Sequence, residues 1–185
     1  MAGLPHYRNS RAAMNKFEPI YNTQFEVLLT PPAAVGGWTL VMENVTKIDG
    51  LEVNKLPEIV QQSYKFAKRS FAGGLIADTT VSVALDFEVN LDDQNSAYVY
   101  KALRQWCDLI YDPLNGRMGI KADYAGGPMI VNFFNKKGDI FRQLKFATVF
   151  PTTPITALNG DYTQNDIYKI TGFTLQADYW EETIL

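Results

Sequence analysis

Catalysis near neutral pH calls for a titrating base, an activated nucleophile or a cluster of metal ligands, and this 185-residue chain offers few of these. Its single histidine, His6, lies near the amino terminus among residues with no clear period, where a frayed surface imidazole is the plain reading. Its single cysteine, Cys107, flanks an apolar helical stripe, with no second histidine to activate it, and reads as a buried, inert thiol. One cysteine also excludes an internal disulfide and any multi-cysteine metal site. Asp92-Asp93 is an acid pair of the kind metals use, but helix capping accounts for both residues. Asp86 and Glu88 stand two apart on a predicted strand and so share a face, where acid–base work is conceivable. Without His, Lys or a glycine loop in register they read as solvated strand acids. Gly73-Gly74 and Gly126-Gly127 match none of the phosphate-cradling spacings. The residues imply a protein that is not an enzyme and takes no cofactor and no metal.

The elements that hold these residues are more informative. Residues 79–90 (TTVSVALDFEVN) alternate with period two: Val81, Val83, Leu85, Phe87 and Val89 on one face, Ser82, Ala84, Asp86, Glu88 and Asn90 on the other. At ~3.3 Å per residue such a strand would span roughly 40 Å, about twice the usual length. Asp92, Asp93 and Asn95 suit a helix start, and Val99, Leu103, Trp106 and Ile110 then recur at helical spacing. Residues 22–30 predict a first strand ended by Pro31-Pro32, and residues 38–46 a second that pairs with it as a hairpin. Residues 129–135 and 140–150 predict another hairpin, with Leu144, Phe146, Thr148 and Phe150 facing one way. A last long strand covers 167–180, with Phe173, Leu175, Ala177 and Tyr179 on one face. Residues 58–74 (EIVQQSYKFAKRSFAGG) have no clean period, and read either as a loop that docks on a partner or as a solvated loop with its aromatics tucked back. The expected fold is mainly β: an antiparallel barrel or sandwich with long strands and one flanking α-helix. Residues 1–19 read as an N-terminal arm and 20–185 as a single domain.

Composition narrows the function classes. The chain is 46% apolar and 20% charged, which is globular, and no run approaches the ~20 apolar residues of a membrane helix. The first residues carry Arg8, Arg11 and Lys16 with no apolar h-region behind them. Net charge is −3, and residues 73–185 are the acidic part, so a nucleic-acid grip is not expected.

In order and spacing the chain resembles the tail tube protein family of contractile-tailed bacteriophages. The pieces that carry the likeness are an N-terminal strand pair, KFAKRSFAGG, DTTVSVALDFEVNLDD, the QW within the helix, and FPTTPITALNGDYTQNDIYKITGFTLQADYWE; the likeness covers roughly residues 20–181. The resemblance implies a virion protein of the phage tail, assembled in the host cytoplasm. It implies hexameric rings stacked into a hollow tube inside a contractile sheath, with DNA passing through the bore unbound. The partners would be the chain itself and the sheath, baseplate and tail-terminator proteins, with no membrane. If each subunit gave four strands to a shared barrel of about 24, spacing of ~4.8 Å and a tilt near ~40° would set a backbone radius of roughly 24 Å. By this likeness residues 58–74 are the ring-stacking loop, with Tyr64, Lys65, Phe66, Lys68, Arg69 and Phe71 as contacts. Asp86, Glu88 and Asp178 are candidates for the bore wall, where they would repel phosphate. Related roles are a baseplate tube initiator or the inner tube of a phage-derived injection system. More distant is a monomeric ligand-binding barrel, which the polar strand faces speak against.

Overall fold

The structure, a computed structural model, describes residues 20–36, 41–53, 59–73, 79–156, 158, 163 and 166–185. The arm 1–19 and His6 lie outside the described residues. In chain order the elements are β1 (Phe25–Leu29), β2 (Val45–Asp49), β3 (Ile59–Tyr64), β4 (Ala67–Ala72), β5 (Val81–Glu88), α1 (Tyr98–Ile110), β6 (Tyr111–Asp112), β7 (Arg117–Met118), α2 (Lys121–Tyr124), β8 (Met129–Phe134), β9 (Ile140–Pro151) and β10 (Lys169–Ile184). Six strands form one antiparallel sheet in the order β1-β8-β9-β10-β5-β2, curled into a nearly closed barrel, with two helices among the described residues. The expected mainly-β barrel is therefore present, with α2 as a second, shorter helix beside the one foreseen.

The inward face of β5 is the alternating set Val81, Val83, Leu85 and Phe87, all buried. It meets Phe173, Leu175 and Ala177 of β10, Val131 and Met129 of β8, and the helical stripe Val99, Ala102, Leu103 and Trp106 in one core. Phe87 and Phe173 pack edge to face across the β5–β10 pair. Trp106 is fully buried, and its indole N–H donates to the Tyr124 carbonyl at 2.8 Å, which ties α1 to α2.

Several local expectations give way to tertiary effects. β5 runs eight residues rather than twelve. Beyond it the Val89 amide turns to the Tyr168 carbonyl, and Asn90 binds Asn44. The long strands are β9, at 12 residues, and β10, at 16. The early hairpin does not form: β1 pairs with β8 and β2 with β5, at opposite ends of the sheet. Val41 and Met42 are helical rather than extended, and a turn closed by the Asn44 amide on the Val41 carbonyl leads into β2; residues 38–40 of the expected strand lie outside the described residues. The acids ahead of α1 do not cap it, since its N-cap is Ala97 with no side-chain bond. Asp92 instead closes the preceding turn by accepting the Gln94 and Ser96 amides.

β9 and β10 change sides together. On β9, Leu144 and Phe146 face the core, then Val149 and Pro151 do. Thr148, at φ 55°, absorbs the switch. On β10 the partners follow: Ala177 is buried opposite Val149, whereas Trp180, opposite Phe146, packs on the core. Tyr179 is thus 50% exposed and Phe150 faces outward, contrary to simple alternation through both strands.

Candidate assembly surfaces

Where an irregular loop is expected over 58–74, the described residues 59–72 form a regular hairpin. β3 and β4 pair in register from Ile59–Ala72 to Tyr64–Ala67 across the two-residue turn Lys65-Phe66. The sequence hid this because neither face is uniformly apolar, so no period-two contrast shows. Among the described residues the hairpin pairs with no strand of the main sheet, and every residue of both strands is exposed. One face carries Val60 opposite Phe71, Gln62 opposite Arg69 and Tyr64 opposite Ala67. Arg69 stands over the Tyr64 ring at 5.6 Å, and the Lys65 ammonium lies 5.4 Å from the Phe66 ring. These contacts cover little, for Phe66 at the tip is 91% exposed. Residues 59–73 contain Lys65, Lys68 and Arg69 and no acid. A two-stranded hairpin alone is marginal in water, and one with bare aromatic residues gains most from a partner. The structure so brings the six expected stacking residues together on one projection.

The curled sheet leaves a second feature that no local pattern announces. Its outer strands, β1 and β2, flank an open groove of about 1130 Å³. Phe25, Val27, Leu29, Met42, Val45 and Ile48 line it, with Glu26, Glu43 and Lys47 also on its walls. A third feature is an edge. β5 leaves β10 at the Val81–Ala177 pair, so among the described residues Asp178–Ile184 pairs with β9 alone. Thr79 partly covers that edge by donating its hydroxyl to the Asp178 carbonyl at 2.8 Å.

Asp86, Glu88 and Asp178 all lie on the outward side of β5 and β10, and each has specific company. Asp86 accepts the Gly172 amide at 2.7 Å. Gly172, at φ 68°, belongs to a bulge where the β10–β5 register shifts between Ile170 and Phe173, and the carboxylate replaces the ladder partner its N–H has lost. Lys47 neighbours Asp86 across the β2–β5 ladder. Glu88 pairs with Lys169 at 3.9 Å. Asp178 pairs with Lys121 of α2 at 2.5 Å, while the same ammonium stands 5.1 Å from the Phe150 ring, on which Tyr124 packs edge to face. Glu88 and Asp178 thus sit in charge pairs and Asp86 sits on the bulge amide, while Lys47 pairs with Asp49 at 3.3 Å, an arrangement set by cross-strand register that the sequence alone did not reveal.

The FPTTPIT stretch also acquires a role that the sequence left open. Past Pro151 the chain stays on β10 through threonines: Thr153 accepts the Thr174 amide at 2.9 Å, and Thr156 donates to the Thr171 carbonyl at 2.8 Å. Side chains thus take over as ladder partners beside the bulge, where Pro151 and Pro154 have no N–H to give. As for chemistry, the Cys107 thiol is pushed up to about 11, first by burial and then by Asp108, with Arg104 opposing. It stays protonated at neutral pH. Among the described residues no group of three or more His, Cys, Asp or Glu is placed to hold a metal ion.

No family model matches the sequence, and no curated protein matches it. Solved structures do match in fold. A chain of the anti-feeding prophage cap, the AFP tube-terminating cap, aligns with TM-score 0.60 at 17% identity over 91% of this chain and 93% of that one. A chain of the PVC sheath–tube complex of an extracellular contractile injection system, in its extended state, gives 0.57 at 16% identity, covering 95% and 97%. The PVC sheath/tube terminator in the extended state gives 0.56 at 16% identity, covering 90% and 98%. With a six-stranded curled sheet, a flanking helix and near-complete coverage in both directions, this chain has the tail-tube fold, the one shared by tube and tube-terminator proteins of contractile injection systems.

Proposed function

We propose that this chain is a structural subunit of the inner tube of a contractile phage tail. Copies form rings, hexameric by the family pattern, which stack into a conduit for DNA inside a sheath. The observation that carries this reading is the β3–β4 hairpin: a basic, aromatic projection with no buried residue, on a fold that tube proteins use. Tyr64, Lys65, Phe66, Lys68, Arg69 and Phe71 make the ring-to-ring contact. The β10 edge beyond Ala177, unpaired among the described residues, supports lateral continuation of the sheet into a neighbouring subunit. Asp86, Glu88 and Asp178 face the bore. With Lys47, Lys169 and Lys121 beside them, that wall carries alternating charge and would let a duplex slide without holding it. Sheath, baseplate and terminator proteins are the further partners, the particle tail is the location, and the role is non-enzymatic.

The test is negative-stain electron microscopy of the purified chain beside a sizing measurement. Hollow tubes of uniform width are expected. A monodisperse monomer at every concentration, with baseplate material added as a template, would overturn the reading. A second reading, a ring that terminates the tube, is favoured by the 0.60 likeness to the AFP cap. It predicts discrete rings that never stack.

A further inference from the structure

We propose that the β3–β4 hairpin of one copy seats in the groove between β1 and β2 of a second copy. The proposal rests on the assembly reading above and names the surface which that assembly uses.

Strand direction is the first reason. In the order β1-β8-β9-β10-β5-β2 every neighbouring pair is antiparallel, so β1 and β2 run in opposite directions. One added strand between them would be parallel to one of the two. A two-stranded antiparallel hairpin fits both edges at once, and β3–β4 is such a hairpin.

Surface chemistry is the second. The hairpin carries three positive charges and no negative one between residues 59 and 73. The groove walls carry Glu26 and Glu43 against Lys47 alone. Val60, Tyr64, Phe66 and Phe71 are exposed on the hairpin, and the groove offers Phe25, Met42, Val45 and Ile48 as an apolar lining. At about 1130 Å³ the groove exceeds the ~300–1,000 Å³ of ordinary small-molecule sites. None of the described hairpin residues lines the groove of its own chain.

Symmetry is the third. Hairpin and groove are different patches of one molecule, so a head-to-tail contact leaves one hairpin and one groove free and repeats from copy to copy into a closed ring or an open helical stack.

The experiment mixes two full-length variants, tagged Phe66→Cys and untagged Leu28→Cys, under mild oxidation. Leu28 lines the groove and is 46% exposed. The expected result is a mixed disulfide, identified by peptide mass, several-fold above a control in which Lys137→Cys replaces Leu28→Cys. In parallel, Arg69→Glu should lower assembly, and Glu43→Arg in the same chain should restore part of it. Suppose tubes form, removal of residues 59–72 abolishes them, and no Phe66→Cys to Leu28→Cys bond exceeds the control. The hairpin then docks elsewhere, and this proposal fails while the tube reading stands. A strong bond between the variants, with a wild-type protein that never grows past small oligomers, would keep the docking and refute the tube. Neither bond nor assembly would refute both.

Discussion

Phe66→Ala separates an assembly role from a folding role most cleanly. The ring is 91% exposed, and among the described residues the Lys65 ammonium stands 5.4 Å from it. An exposed cation–π contact is worth ~0.5–1 kcal/mol, so the isolated chain should lose little: a fall in Tm of less than ~4 °C for a chain of this size. Seating the ring between copies is a different matter. Nearly the whole side chain would leave water, which contributes ~2–3 kcal/mol, and alanine forfeits most of it. At ~1.4 kcal/mol per tenfold change, a loss of ~2 kcal/mol weakens each contact about 30-fold. If each subunit gives one hairpin and accepts one, the critical concentration for tube growth should rise by about that factor. Pelleting by ultracentrifugation across a concentration series measures it, with circular-dichroism melts as the folding control. An unchanged critical concentration would show that the tip lies outside the interface. A Tm drop above ~10 °C with normal assembly would show instead that the hairpin belongs to the subunit's own core.

Three further outcomes are expected. Gly126→Ala should destabilise by ~1–3 kcal/mol, or ~2–12 °C in a thermal melt, because a Cβ there meets the Thr30 carbonyl oxygen at 2.8 Å, Trp106 Cζ2 at 3.1 Å and the Val149 oxygen at 3.2 Å, two of them backbone atoms that cannot swing away. Asp86→Ala should cost about 1 kcal/mol in a urea titration by leaving the Gly172 amide to water, whereas Asp86→Asn keeps an acceptor and most of the stability; equal losses would remove the carboxylate from the bulge. Folding stability should decline as pH rises between about 9 and about 11, since the Cys107 thiol is held protonated in the folded chain up to about 11 against an ordinary 9.0, so the unfolded chain releases its proton first; Cys107→Ala should flatten that part of the pH profile.

The candidate surfaces were legible to different degrees. Tyr64, Lys65, Phe66, Lys68, Arg69 and Phe71 stood out as residue types too apolar and too basic for a linker, yet their arrangement as a hairpin did not. Pairing β3 with β4 depends on hydrogen bonds that neither strand's face pattern betrays. Alternation along β5 and β10 set Asp86, Glu88 and Asp178 next to buried residues on the opposite face. Their partners are distant: Lys169 at the start of β10 for Glu88, Lys121 of α2 for Asp178 and the Gly172 amide for Asp86, and no local signal specifies them. The groove was not foreseen at all, because it exists only between two strands that close no pair with each other.

By itself the sequence determined what short-range physics can fix. The period-two core face of β5, the 3.6-period stripe of α1 and the β8–β9 hairpin across its Asn-Lys-Lys-Gly-Asp turn all follow from neighbours within about a dozen residues. Tertiary structure decided everything that weighs one distant partner against another. β1 left its sequence neighbour for β8, where Val27 meets Val131 and Leu29 meets Met129 in the core, and β2 went to the far end of the sheet. β9 and β10 reversed their faces at Thr148 so that Trp180 rather than Tyr179 could reach the core. Burial in a common core is a long-range reward, while alternation and turn chemistry are local ones; where the two compete, only the folded chain reveals which prevails.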